Sequence, residues 1–233
     1  MIMEFVVAID GPAGSGKGTI AGQVAERLGF VTMDTGAMYR CVTVYFLDHD
    51  VGLEDEEKVK KALPEIEIDM QNVDGKPRFF LNGKDVSERI RTKEVDSIVS
   101  QVSHLVPVRL AMVDLQRKLA KGKCVVMEGR DIGTNVFPNA QVKIYLDATP
   151  EERARRRMLQ NQEKGISNVS YEEILENVKF RDHNDLTSPV APLKKAEDAV
   201  VIDSTNLSIE EVVQKVEALI KEKNELRGND ERV

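Results

Sequence analysis

Cysteine is scarce in this 233-residue chain. Only Cys41 and Cys124 occur, far apart, with no C-x-x-C or Cys/His spacing. A disulfide framework and a cysteine zinc site are therefore not expected, and Cys124, set in an apolar run, reads as a small core residue. No apolar run approaches the roughly 18 residues needed to span a bilayer. The opening MIMEFVVAIDG is too short an apolar stretch for a signal peptide and leads straight into glycine-rich sequence. A soluble, cytoplasmic protein with no membrane partner is expected. Positive charge is in deficit: 33 Lys and Arg stand against 40 Asp and Glu, a net charge of −7. Bulk nucleic-acid binding draws its affinity from clustered Lys and Arg, so it is not expected either. A local arginine cluster can still bind a small anion in an acidic protein. There is no internal repeat or low-complexity tract.

What is present is an alternation of strand and helix signals. The length suits one α/β core carrying inserted segments. Residues 4–10 (EFVVAID) form a short apolar run rich in β-branched side chains, as in a buried parallel strand. Residues 11–18 are a glycine-rich turn, and residues 19–28 place Ile20, Val24 and Leu28 on one helical face before Gly29 stops the helix. Residues 124–127, 142–146 and 199–202 read as further strands, with a shorter one around 30–33, which predicts a doubly wound parallel sheet. Residues 66–70 and 77–83 flank an Asp74-Gly75 turn and read as a hairpin in an inserted substrate-binding segment. Helix starts are expected at Thr149-Pro150 with Glu152, at Ser170 with Glu173, and at Ser208 with Glu211, each with a capping-box spacing. Ile209, Val212, Val213, Val216, Leu219 and Ile220 form the apolar stripe of a last helix, beyond which a charged tail is expected to fray.

The strongest chemical signal is Gly11-Pro12-Ala13-Gly14-Ser15-Gly16-Lys17-Gly18-Thr19. Glycines let successive backbone N–H groups converge on phosphate, the following helix N-terminus adds its dipole, and Lys17 supplies a charge. Gly18 stands where such loops usually carry Ser or Thr, which removes one hydroxyl ligand for magnesium and leaves Thr19 nearby. Next comes Asp34-Thr35-Gly36-Ala37-Met38-Tyr39-Arg40, in which Gly36 reads as a turn after a short strand and Arg40 can fork onto a phosphate. Glu128-Gly129-Arg130-Asp131 ends the strand CVVM, where ligands gather in open α/β sheets. Glu128 is placed to organise magnesium through water, Arg130 to pair with phosphate, and Asp131 to accept from an exocyclic amine; the plainer alternative is a helix start with local ion pairs. Arg153, Arg156 and Arg157 share a predicted helix face. A charge run of this kind is ordinarily a solvated surface; after a phosphate loop and a strand end it reads as a lid that supplies arginine to a transferred phosphoryl group. Arg181 and Asp185 either form an i,i+4 ion pair or hold ribose hydroxyls, and His183 reads as an exposed side chain.

Taken together, GPAGSGKGT, DTGAMYR, EGRDIGT, ERARRRM and RDHND-x₆-PL resemble the bacterial cytidylate kinases, in order and over nearly the whole chain. The resemblance implies a phosphate-loop core with a five-stranded parallel sheet (1–38, 103–148 and 180–233), an insert binding the nucleoside monophosphate with a small antiparallel sheet (39–102), and a short arginine-bearing helical lid (149–179). It implies transfer of phosphate from MgATP to CMP or dCMP by a monomer. By match of motif, Lys17 and the loop backbone bind ATP, Arg40 and Arg130 hold the acceptor phosphate, and Arg109 and Asp131 read the cytosine edge. Ser100, Arg181 and Asp185 face the ribose, and Thr35 joins the acceptor site. Glu128 replaces an Asp common in the family, keeping the charge. Ser188 stands where the family usually has Arg, so one substrate contact is missing or made by another residue. Two other readings remain open. One is another small-molecule phosphate-loop kinase, for UMP, AMP or shikimate. The other is a nucleotide switch, against which the chain lacks any N-K-x-D base-reading motif.

Overall fold

The computed structural model describes residues 4–73, 76–163 and 169–230. Strand β1 (Phe5–Asp10) is buried at every position, as an apolar run with no alternation requires of a central strand. Around it lie β2 (Val31–Asp34), β6 (Cys124–Gly129), β7 (Val142–Asp147) and β8 (Val200–Asp203), in the order β2-β6-β1-β7-β8. The sheet is the expected five-stranded parallel one: β1 pairs in parallel with β6 and β7, and β7 with β8. In this register Asp10 stands opposite Gly129, so the carboxyl ends of β1 and β6 finish level with each other. Strand β8 is an edge strand with Val200 and Val201 exposed.

The described residues fall into two compact units, one drawn from Met1–Thr32 and Ala120–Val233, the other from Met33–Leu119. In the first, helix α1 (Lys17–Leu28) and helix α8 (Ile209–Asp230) pack on the sheet. Ile20 and Val24 meet Val212, Val213, Val216 and Ile220 over Phe5, Val7, Ile144 and Leu146. The expected stripe of the last helix is thus its buried face, apart from Ile209, which is exposed. Gly29 ends α1 in a left-handed conformation, its N–H donating to Ala25 and Glu26 carbonyls. Helices α6 (Pro150–Glu163) and α7 (Tyr171–Thr187) pack against each other in the same unit. Cys124, expected in the core, is only half-buried, because it opens β6 at the sheet's end; Cys41 is the fully buried cysteine.

The second unit contains α2 (Thr35–Asp48), α3 (Glu56–Ala62), β3 (Ile68–Val73), β4 (Lys76–Leu81), β5 (Lys84–Asp85), α4 (Lys93–His104) and most of α5 (Val106–Ala120). Its own core joins Met38, Val42 and Phe46 to Ile68, Phe79, Ile90, Val102 and Met112. Strands β3 and β4 form the expected antiparallel hairpin, while the Asp74-Gly75 turn lies outside the described residues. A second turn, Asn82-Gly83, adds β5. Both its residues have positive φ, 49° and 77°, which an Asn-Gly pair tolerates in a tight hairpin turn. Gly36 is not a loop turn but lies in the first turn of α2. Asp34 caps that helix by accepting from the Ala37 N–H at 2.9 Å, and a Cβ at Gly36 would stand 3.2 Å from the same carboxylate oxygen. Among the described residues no single helix is long and apolar enough to cross a membrane.

Candidate active site

The loop between β1 and α1 is built on glycines with positive φ: Gly11 at 151°, Gly14 at 80° and Gly16 at 94°. Lys17 opens α1 and is buried, with its Nζ donating to the Pro12 carbonyl at 2.7 Å. Burial first, and then the Arg130 guanidinium, push the Lys17 ammonium down to about 7, while Glu128, Asp10 and Asp185 act the other way. Gly18 and Thr19 are exposed at the start of α1. A Cβ added at Gly18 would fall 2.7 Å from Glu128 Oε1. The carboxylate of Glu128 therefore occupies the space that the usual Ser or Thr side chain would fill.

At the end of β6 the Arg130 guanidinium donates through Nε to Asp185 Oδ2 at 2.7 Å. Asp185 on α7 is thus paired with a strand-end arginine on a different element, the long-range alternative to an i,i+4 bridge with Arg181. Asp131 is buried and accepts from Asn135 Nδ2 at 2.9 Å. Beyond it, Ile132–Val136 forms a single π turn. Asp10, the last residue of β1, is not among the expected site residues. Its side chain is 5% exposed, and its two oxygens accept from the Ile132 and Gly133 N–H groups at 2.8 and 2.7 Å.

Burial pushes the Asp10 carboxyl up to about 6 from its ordinary 3.8; the two N–H groups and Lys17 oppose this, and Asp131 adds to it. The folded chain therefore holds a proton that the unfolded chain has already released. The stability contributed by the protonated form is fully present below pH 3.8 and is lost as the pH rises through about 6. At about 1.4 kcal/mol per pH unit, the loss is roughly 3 kcal/mol. Denaturant unfolding should show the stability of wild type, measured relative to Asp10→Asn, rising by about that amount from about pH 7 to about pH 4. A difference that stays flat across this range would remove Asp10 as the titrating group.

The three arginines expected to act as one catalytic face on α6 are held differently. Arg153 is 3% exposed. Its Nε donates to the Ala148 carbonyl, its Nη1 to the Ala13 carbonyl at 3.0 Å and to Asp182, and its Nη2 to Asp182 at 2.5 Å. Four of its five N–H groups are committed in this way, which ties Arg153 to the Ala13 carbonyl of the loop and to Asp182 on α7. Arg156 donates to the Ser15 carbonyl at 3.3 Å, to Ser204 and to Glu152. Arg157 is exposed. Thr149 does cap α6, accepting from the Glu152 N–H at 3.3 Å, but the Glu152 carboxylate does not complete a capping box. It is taken by Arg155 and Arg156, which hold it down to about 2. Complete boxes form at Ser170–Glu173 and at Ser208–Glu211. Asp182 and Ser204, like Asp10, are contributors that spacing alone did not single out. His183 is exposed, as read, and Ser188 is buried just after α7 with its Oγ donating to the Val190 carbonyl.

In the second unit, taken by itself, Arg40 donates through Nη1 to the Ile90 carbonyl at 2.9 Å and through Nη2 to Asp96 at 2.6 Å. Arg109 is buried with its guanidinium 5.7 Å from the centre of the Tyr39 ring. Thr35 is buried and Ser100 exposed.

A family model described as cytidylate kinase matches residues 7–222. The cytidylate kinase of Caldicellulosiruptor bescii is 51% identical over 210 residues, covering 90% of this chain and 92% of that protein. That of Carboxydothermus hydrogenoformans is 50% identical over 221 residues, covering 94% and 99%. Among solved structures, an uncharacterized protein from Eubacterium ventriosum aligns with a TM-score of 0.51 at 12% identity, over 93% of this chain and 98% of that one, which speaks to the fold alone. With the strand–loop–helix at Gly11 to Thr19 and the Glu128 to Asp131 strand end both in place, the chain belongs to the cytidylate kinase family.

Proposed function

We propose that this protein transfers the γ-phosphoryl group of ATP to the phosphate of CMP or dCMP, giving ADP and CDP or dCDP. The observation that carries the reading is the grouping of Lys17, Glu128 and Arg130 at the level carboxyl ends of β1 and β6, in a chain of the cytidylate kinase family. The backbone of Gly11 to Thr19 and Lys17 bind the ATP phosphates. Arg40 and Arg130 take the acceptor phosphate, Arg109 and Asp131 the base, and Thr35, Ser100, Arg181 and Asp185 the remainder of the acceptor. The acceptor's phosphate oxygen is already nucleophilic, so catalysis consists of positioning and charge neutralisation by Lys17 with Arg156 and Arg157; Arg153 supports the loop. Thr19 and Glu128 are the residues that would hold magnesium, largely through water. Their oxygen donors suit a hard cation, and the Glu128 carboxylate already sits against Gly18 at the start of α1. When bound, the metal neutralises phosphate charge. The enzyme works as a cytoplasmic monomer on small nucleotides.

The test is a panel of CMP, dCMP, UMP and AMP in a coupled ADP-release assay; a chain that favours AMP or UMP would overturn the reading. Base choice follows from Asp131. A carboxylate faces the amino group of cytosine with a partner, but faces the uracil carbonyl with repulsion and no donor, which costs roughly 1–3 kcal/mol. The ratio of kcat/KM for CMP over UMP should therefore be about ten- to hundred-fold or more in wild type and should shrink in Asp131→Ala. An unchanged ratio in the variant would take base reading away from this residue.

A further inference from the structure

We propose that Asp10 is a positioning residue for the acceptor nucleotide: its carboxylate grips the Ile132 and Gly133 N–H groups and so sets the backbone from which Arg130 and Asp131 project. This rests on the reading that Arg130 and Asp131 bind CMP.

The first N–H groups of a helical turn have no partner inside the turn and are usually satisfied by the residue that precedes it. Here that residue is Asp131, a good capping type, yet its side chain makes no capping bond. Its carboxylate accepts from Asn135 instead. The capping is done from 122 and 123 residues away, by Asp10, with one oxygen on each of two successive N–H groups. With both N–H groups taken by Asp10, the Asp131 carboxylate is left to the Asn135 side-chain amide and not to the turn's first backbone N–H groups.

The clamp is close-fitting. A Cβ at Gly133 would stand 3.4 Å from Asp10 Oδ2 and 3.1 Å from Lys143 Cδ. Lys143, itself buried, ties the far end of the segment by donating to the Pro138 carbonyl and to Asp198 at 2.9 Å. Segment 131–138 is thus fixed at both ends by buried charged side chains. Asp10 also lies beside the strand end that carries Arg130, since it is in register with Gly129. Burial disfavours its charged form. Stability alone would be served by a neutral side chain, which points to the charge being kept for the geometry it imposes.

The experiment is steady-state kinetics of the full chain with Asp10→Asn. The amide keeps one acceptor oxygen but turns an N–H₂ toward a backbone N–H, breaking one charge-assisted bond. The expected result is a KM for CMP raised about tenfold or more and a smaller CMP-to-UMP preference, with the KM for ATP within about threefold of wild type. Equal rises in both KM values would mark a general loosening and overturn the proposal. Arg130→Ala is measured alongside. If it leaves the CMP KM unchanged, this loop does not bind the acceptor and the underlying reading fails. If it raises the CMP KM while Asp10→Asn does not, the reading stands and the positioning role fails. Should Asp10→Asn not fold, Gly133→Ala, which presses on the same clamp, is read by the same criterion.

Discussion

Replacing Lys17 by Met should cut turnover by about 100- to 1,000-fold, some 3–4 kcal/mol of transition-state stabilisation, without destabilising the nucleotide-free protein. The two halves of this expectation have one cause. The ammonium is buried at the head of α1, its Nζ on the Pro12 carbonyl, and burial together with Arg130 holds it down to about 7. In the absence of phosphate, that charge is costly to the folded state. Triphosphate brings the missing counter-charge, so the interaction is strongest when negative charge builds on the transferred group. Methionine fills similar space without the charge. Thermal unfolding without ligand should therefore occur at a temperature no lower than wild type, while kcat falls. A variant with near wild-type turnover would remove Lys17 from the mechanism; one that loses both activity and melting temperature would make it a structural residue.

The parts of this molecule that were legible in the sequence are those whose determinants are local. The apolar run before Gly11, the glycines themselves and the period of Ile20, Val24 and Leu28 specify strand, loop and helix within a few residues of one another. The Ser170–Glu173 and Ser208–Glu211 caps are equally local. What escaped depends on partners far along the chain. Nothing near Asp10 indicates that its carboxylate caps a turn starting at Ile132. The i, i+3, i+4 spacing placed Arg153, Arg156 and Arg157 on one face, but it could not show that Asp182 and the Ala13 carbonyl hold the first of them. PRFFLNG looks like one strand, and only the positive φ at both Asn82 and Gly83 shows that the chain reverses there.

Two glycines of the phosphate loop should respond to alanine in opposite ways. At Gly11 an added Cβ would lie 2.1 Å from the Leu146 carbonyl oxygen, and φ is 151°, a region that side chains other than glycine rarely adopt. The obstructing atom is backbone of β7, in a strand paired on both sides by β1 and β8, so it cannot yield. Strain at such a φ costs about 1–3 kcal/mol and a core overlap about as much again. Gly11→Ala should therefore lose roughly 2–6 kcal/mol in denaturant unfolding, a loss whose upper end unfolds a domain of marginal stability. At Gly18 the obstructing atom is Glu128 Oε1, 2.7 Å from the added Cβ, at the far end of a side chain that can swing away. The backbone there is already helical, and alanine is the better helix former by up to about 1 kcal/mol. Gly18→Ala should keep or raise the melting temperature and yet lose activity, because Glu128 is pushed from its place beside the phosphate loop. In that variant the magnesium concentration giving half-maximal turnover should rise several-fold. If Gly18→Ala is as active as wild type at limiting magnesium, the position of Glu128 does not matter to the metal. If Gly11→Ala melts within a few degrees of wild type, the close approach of the loop to β7 is not a constraint on the fold.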